Sequence, residues 1–252
     1  MLTRAKTQTE IDAMRESGKM LATVLSLLKR EVRTEMSTKD LANRASRELK
    51  SLGGEPAFLG YRGFPDVLCV SINEEVVHGI PNNQKLIEEG DIVSLDFGVK
   101  YRGMITDGAI SFVVGQGSPQ DVKLVKDTQS AMLAGIDVVR NGVRTGDIGN
   151  AIDKVLSRKG YGVVRDLVGH GVGHHLHEDP NIPNYGNKST GAVLSSGMTI
   201  AIEPMATLGT YQVTIKPDGW TIVTLDGSRS AHFEHTILIE EDGSEILTIA
   251  DR

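Results

Sequence analysis

Apolar residues recur at helical spacing near the start of the chain. Ile11, Met14, Leu21, Val24, Leu25 and Leu28 fall on one face of such a helix. Thr7 and Glu10 precede them at capping-box spacing, so the first helix is expected to begin there. A second helix opens at Ser37, carries Leu41, Ala45 and Leu49 on one face, and stops at Gly53-Gly54. From residue 57 to 114 the texture changes. "VLCVSI", "DIVSLDFGV" and "AISFVVG" are short, β-branched and bounded by Gly, Pro and Asn, as strands and hairpins are. Helical spacing returns after Ser118-Pro119, an N-cap followed by proline at the first helical position. Val122, Val125, Met132, Ile136 and Val139 carry that face, and Asn141-Gly142 is expected to stop it. Thr145 starts a fourth helix with Ile148, Ile152 and Val155 inward, ending at Gly160. "MTIAIEPM", "WTIVTL" and "HFEHTILI" then read as strands.

Two helices followed by strands, twice over, predict two similar halves sharing one sheet system. The expected architecture is one α+β domain over 1–252, with halves at roughly 1–115 and 116–252. No residue-level repeat marks the halves, and no Pro- or Ser-rich linker separates them. The Gly/Asn-rich stretch 181–197 reads as a surface loop at the rim of a lid.

Composition narrows the class. A chain of 252 residues can bury a sizeable core without staples. Its 39% hydrophobic and 24% charged content is that of an ordinary globular protein. A net charge of -6 argues against nucleic acid or an anionic membrane as the main partner. Cys69 is the only cysteine, so no internal disulfide forms, which suits a reducing compartment. The N-terminus lacks the basic start and apolar core of a secretory signal. The apolar run 20–28 is too short to span a bilayer, and a cytoplasmic protein is expected.

Four acids stand in apolar strand segments. Asp96 lies in "VSLDFG" and Asp107 in "MITDGAIS"; a hairpin near Tyr101-Arg102-Gly103 would let both face one pocket. Glu203 lies in "TIAIEPM" and Glu234 in "SAHFEHTILI". An unpaired buried carboxylate is expensive, so each needs a partner, a proton or a metal. Lys100 and Arg102 adjoin the Asp pair, but "MTIAIEPMATLG" holds no cation. Any one acid could be an exposed strand position or half of an ion pair; four together favour a divalent metal. "GHGVGHHLHEDP" adds His170 between glycines that leave its ring unobstructed. One nitrogen with four carboxylates is a hard, oxygen-rich set that suits Mn, Fe(II), Co or Zn in a two-metal site. No CxxC or HExxH is present, so zinc-finger and zincin readings fail.

These residues, in this order, resemble the five metal ligands of the methionine aminopeptidases. "SINEEVVHGIP", "GHGVG", "IEPM" and "HFEHT" are similar to segments of that family. The resemblance covers essentially the whole chain and is to the bacterial type I form. It implies the pita-bread fold, two pseudo-symmetric helix-helix-strand halves around a curved antiparallel sheet. It implies removal of the initiator methionine from nascent chains whose second residue is small, by a water shared between two divalent ions (Co, Mn, Fe(II), Zn or Ni). Asp107 and Glu234 would bridge the ions, Asp96 would complete one site, and His170 and Glu203 the other. Glu203 would also shuttle the proton of the water. His78 and His177 would contact the substrate near its scissile peptide. Tyr61, Phe64, Cys69 and Trp220 match positions of the methionine pocket.

Three positions depart from the best-known bacterial pattern. Phe58 stands where a small Cys is common, Leu176 where Phe is common, and Gly108 where Ser or Thr is usual. His174 and His175 are expected to be exposed loop residues; His232 and His235, which flank Glu234, are expected to pack in a strand, the alternative being that one of them supports a metal ligand. Other family members with an altered side-chain preference, and a pita-bread binding protein without catalysis, are the alternatives. A proline-specific relative is disfavoured, because those carry a large extra N-terminal domain. A monomer is expected. A nascent-chain substrate implies contact with the ribosome near the peptide exit, and Lys6, Lys19, Lys29, Arg30 and Arg33 are candidates for a basic patch.

Overall fold

The computed structural model describes residues 3–250. Helix α1 runs Gln8–Glu31, capped by Thr7 and Glu10 in a reciprocal pair. Helix α2, Thr38–Leu52, has the same device from Ser37 and Asp40 and ends at Gly53 with φ +82°. α3 spans Pro119–Ile136 with Ser118 as its cap, and α4 spans Thr145–Ser157.

Every strand pair is antiparallel. The first half centres on the long hairpin Ile92–Tyr101 and Met104–Val113. Its two-residue turn, Arg102-Gly103, has positive φ at both residues, as a tight twisted hairpin requires. Cys69–Ile72 and the short strand Glu55–Pro56 flank this hairpin on one side. The largest sheet of the second half orders its five strands as Ser244–Ile246, His235–Ile239, Thr199–Ile202, Gly169–Gly171 and Glu178–Ile182. The halves meet in a ladder that pairs Glu75–Val77 with Ile222–Thr224, and in an isolated bridge at the hairpin: the Glu234 N–H donates to the Ala109 carbonyl at 2.9 Å, and the Ala109 N–H to the Glu234 carbonyl at 3.2 Å. The sheet system is divided into separate ladders rather than one unbroken ladder.

Helices α1 and α2 cover one half and α3 and α4 the other, each over its own apolar cluster. α1 lies on the hairpin through Leu21, Val24 and Leu28, and its Ser17 hydroxyl donates to the Val99 carbonyl at 2.9 Å. Gly18 allows the chain to approach Leu247; a Cβ there would lie 2.0 Å from the Leu247 carbonyl oxygen.

Four readings need correction. α3 stops at Ile136, short of Asn141-Gly142, and the Asn141 N–H is taken by the Glu240 carbonyl. Val122 is exposed, and Leu124 and Ala131 join Met132 and Ile136 on the buried face of the helix. The 181–197 stretch is not all surface, since Ile182, Asn184 and Leu194 are fully buried. Lys6 is buried too, so it cannot belong to an exposed basic patch. Among the described residues no helix is long and apolar enough to cross a membrane.

Candidate metal centre

The seam between the halves gathers the acids. Asp96 pairs in register with Ala109, and Asp107 with Gly98, so the two stand diagonally across the hairpin. Thr236 anchors Asp107: its hydroxyl accepts the Asp107 N–H at 2.9 Å and donates to the Asp107 carbonyl at 2.8 Å. Glu234 is placed by its exchange with Ala109. His170 stands in a strand whose glycines permit close neighbours; a Cβ at Gly169 would lie 2.3 Å from the Ala201 carbonyl oxygen. The Gly171 carbonyl lies 2.9 Å from His170 Nδ1. A carbonyl only accepts, so Nδ1 carries the proton and Nε2 is left as a lone-pair donor. That Nε2 lies 3.4 Å from Glu203 Oε1.

Asp96, Asp107, His170 and Glu234 are buried and Glu203 nearly so. Ligand atoms of Asp107, His170 and Glu234 lie within 4.8 Å of one another. Asp96 Oδ1 and Glu234 Oε1 are buried without any hydrogen-bond partner. Burial pushes the Asp107 carboxyl up to about 7, against the Gly108 N–H, which favours its ionised form. Burial, then the neighbouring carboxylates, pushes Asp96, Glu203 and Glu234 well above the usual range. Burial pushes His170 down to about 4. Acids that resist ionising together, with orphaned oxygens turned inward beside a neutral imidazole, are the donor set of a divalent cation.

The cavity over this cluster has a volume of about 320 Å³. All thirteen residues singled out from the sequence line it, together with Arg62, Asp166, Leu167 and Val168. Its apolar wall is Phe58, Phe64, Cys69 and Leu176, with Tyr61 and Trp220 packed against them. Phe64 meets Phe58 and Trp220 edge-on, with centroids 6.5 and 5.1 Å apart. His177 stacks on Tyr61, accepts or donates at its hydroxyl across 2.9 Å, and lies 4.2 Å from the His170 ring. His78 has φ +59°, a strained conformation that aims its ring toward Trp220, 6.4 Å away. Burial lowers the pKa of His78 and brings that of His177 down to about 3.

The three departures have local reasons. Phe58 lies over Gly98, where a Cβ would come within 2.5 Å of its ring, and it shares the apolar wall with Leu176. Gly108 receives Leu21: a Cβ there would stand 3.0 Å from Leu21 Cδ2.

Two histidines behave differently from expectation. His174 is not loose decoration, because its Nε2 lies 2.8 Å from Glu10 Oε1 at the start of α1. His232 is buried with both ring nitrogens unpartnered, and Nε2 lies 3.7 Å from Glu203 Oε2. This fits the alternative of a histidine that supports a metal ligand: His232 stands two residues from Glu234, and such residues share a face of an extended chain. His175 is exposed, and His235 packs with Nδ1 2.8 Å from the Thr248 hydroxyl.

Carboxylates and an imidazole gathered at the seam are the donor set of a metallohydrolase-type centre, and comparison with known proteins gives the family. The model of metallopeptidase family M24 matches residues 12–241, and the chain belongs to that family. Within it, the chain is similar to methionine aminopeptidases. It is 43% identical over 246 residues to the methionine aminopeptidase of Clostridium acetobutylicum, covering 98% of both chains. The crystal structure of the Thermotoga maritima methionine aminopeptidase superposes with a TM-score of 0.97 at 46% identity, over 98% of this chain and 100% of that one. The prolidase of Pyrococcus furiosus shares the pita-bread fold alone, at 24% identity and a TM-score of 0.79, over 98% of this chain and 66% of that one.

Proposed function

We propose that the chain is a metal-dependent methionine aminopeptidase, removing the initiator methionine of nascent chains whose second residue is small. The observation that carries this reading is the convergence of four carboxylates and His170 at the floor of a cavity with an apolar side wall. Asp107 and Glu234, joined to each other's strands at the seam, would bridge two divalent ions; Asp96 would complete one site, and His170 and Glu203 the other. Bound there, the ions (Co, Mn, Fe(II), Zn or Ni) would supply Lewis acidity and a water acidic enough to ionise near neutral pH. Glu203, between two imidazoles, would take up and return the proton of the attacking water. His78 and His177 are neutral at physiological pH and would hydrogen-bond the substrate at its scissile peptide. Phe58, Tyr61, Phe64, Cys69, Leu176 and Trp220 would enclose the methionine side chain, excluding water and polar residues. The reading places a monomer in the cytoplasm, near the ribosomal exit, with Lys29, Arg30 and Arg33 at the end of α1 as the cations that would face it.

The test is release of methionine from Met-Gly-Met-Met by metal-stripped protein titrated with Co(II) or Mn(II). Hydrolysis that appears only with metal and stops after the first residue supports the reading. Tight metal binding with no release points to another side chain as substrate, and no metal binding removes the enzyme.

Phe58 supplies a second check on the pocket. Phe58→Cys opens the wall over Gly98. Methionine is then expected to bind about 10-fold more weakly, while ethionine gains relative to it. An unchanged ratio of kcat/KM for the two N-terminal residues would remove Phe58 from the pocket.

A further inference from the structure

The most buried ion pair among the described residues takes no part in the chemistry proposed above. Lys6 Nζ lies 3.2 Å from Glu178 Oε2, and the two side chains are 0% and 3% exposed. The ammonium also donates to the Thr3 hydroxyl at 2.7 Å. The other oxygen of Glu178 accepts two successive backbone amides, from His174 at 2.7 Å and His175 at 2.9 Å. One carboxylate thus ties the segment ahead of α1 to the turn 173–177. Two backbone bonds clamp the same place: the Thr3 N–H donates to the Asp179 carbonyl, and the Ile105 N–H to the Gly173 carbonyl, each at 2.7 Å. Gly173 has φ +146° and carries the Lys6 stem against it; a Cβ there would lie 2.5 Å from Lys6 Cε.

The turn held in this way carries Leu176 into the apolar wall and His177 to within 4.2 Å of His170. Burial lowers the pKa of Lys6 despite Glu178. For Glu178 burial acts upward, but hydrogen bonds from Thr3, His175 and Lys6 outweigh it and leave its pKa low. A buried ion pair is weak as a source of stability, since apolar groups of the same shape hold a fold together as well. Its distinguishing property is direction: a carboxylate pinned by an ammonium holds two adjacent amides in one orientation.

We propose that Lys6 and Glu178 are positioning residues: their pair sets the 173–177 turn so that His177 meets the substrate and Leu176 meets its side chain. The proposal rests on the aminopeptidase reading. It makes residues 3–6, ahead of the first helix, part of the active-site architecture.

The experiment is Lys6→Met, which keeps the stem and removes the charge, beside Lys6→Met/Glu178→Gln. Glutamine still accepts both amide protons and leaves no stranded charge. In Lys6→Met, kcat on Met-Gly-Met-Met is expected to fall about 10- to 100-fold at unchanged bound metal. The ¹⁵N ring resonances of His177 should shift, and the neutral pair should recover most of the rate and the resonances. Wild-type kcat and unmoved His177 resonances in a Lys6→Met protein that merely melts lower would overturn the proposal. Should Lys6→Met alone not fold, the neutral pair is compared with Lys6→Met/Glu178→Ala, where the amides lose their acceptor. Equal kcat in those two overturns it; a lower kcat with alanine supports it. A wild-type protein inactive on the peptide would instead remove the aminopeptidase reading, and the His177 resonances would still report on the turn.

Discussion

Replacing His170 with alanine lowers kcat/KM for methionine release by about 100- to 1,000-fold, even at saturating metal. His170 is the one nitrogen in a set otherwise made of carboxylates, within 4.8 Å of its partners in Asp107 and Glu234. Its tautomer is imposed by the Gly171 carbonyl, so the lone pair already points into the cluster and no reorganisation precedes binding. Alanine leaves a site of acids alone, one neutral donor short and with no group opposite Glu203 Oε1. Metal affinity by calorimetry should fall together with the rate. Full activity at saturating metal would mean that His170 is a bystander and that the centre lies elsewhere on the seam.

Removing metal should make the protein less stable as pH rises above about 6.5, the region where histidines have already discharged. The folded pKa of Asp107 is raised to about 7, and those of Asp96, Glu203 and Glu234 are raised well above the ordinary carboxylate range. A raised folded pKa binds protons that the unfolded chain has released. The stability it contributes is present below the unfolded value, near 4, and is lost as pH climbs through the folded value. The buried imidazoles oppose this at lower pH: His170 and His232 are depressed to about 4 and 3. Their contribution is present above about 6.5 and is lost as pH falls toward those values. The two sets therefore work against each other between pH 4 and 6.5, and the acids act alone above it. Thermal melts of stripped protein between pH 6.5 and 8.5 should show Tm falling. With Mn(II) added, Tm should rise at every pH and the trend should flatten, because a cation stabilises the ionised carboxylates. A Tm of stripped protein that rises across that range would sink the claim that these acids are buried together without a cation.

Some of this molecule is written in short range. Thr7 with Glu10, and Ser37 ahead of α2, start their helices through bonds that span three residues. Arg102-Gly103 turns its hairpin within two residues. The acids were legible for a different reason: a carboxylate inside an apolar strand is costly enough to announce a purpose. Other features depend on what lies across the fold. α3 stops at Ile136 although Val138 and Val139 continue an apolar run, because the backbone beyond is bonded to Glu240. Val122 keeps the helical spacing yet faces solvent, since spacing says which residues share a face and not where a neighbour ends.

By itself, then, the sequence determined the helices, the main hairpins and the residue types of the candidate metal centre, each through local bonds or the cost of burying charge. Tertiary structure alone decided that His232 faces Glu203, that Leu21 fills the space over Gly108, and that Lys6 meets Glu178 across 172 positions. A buried partner so distant in the chain is selected by how two packed halves close on each other, and no local pattern encodes that closure.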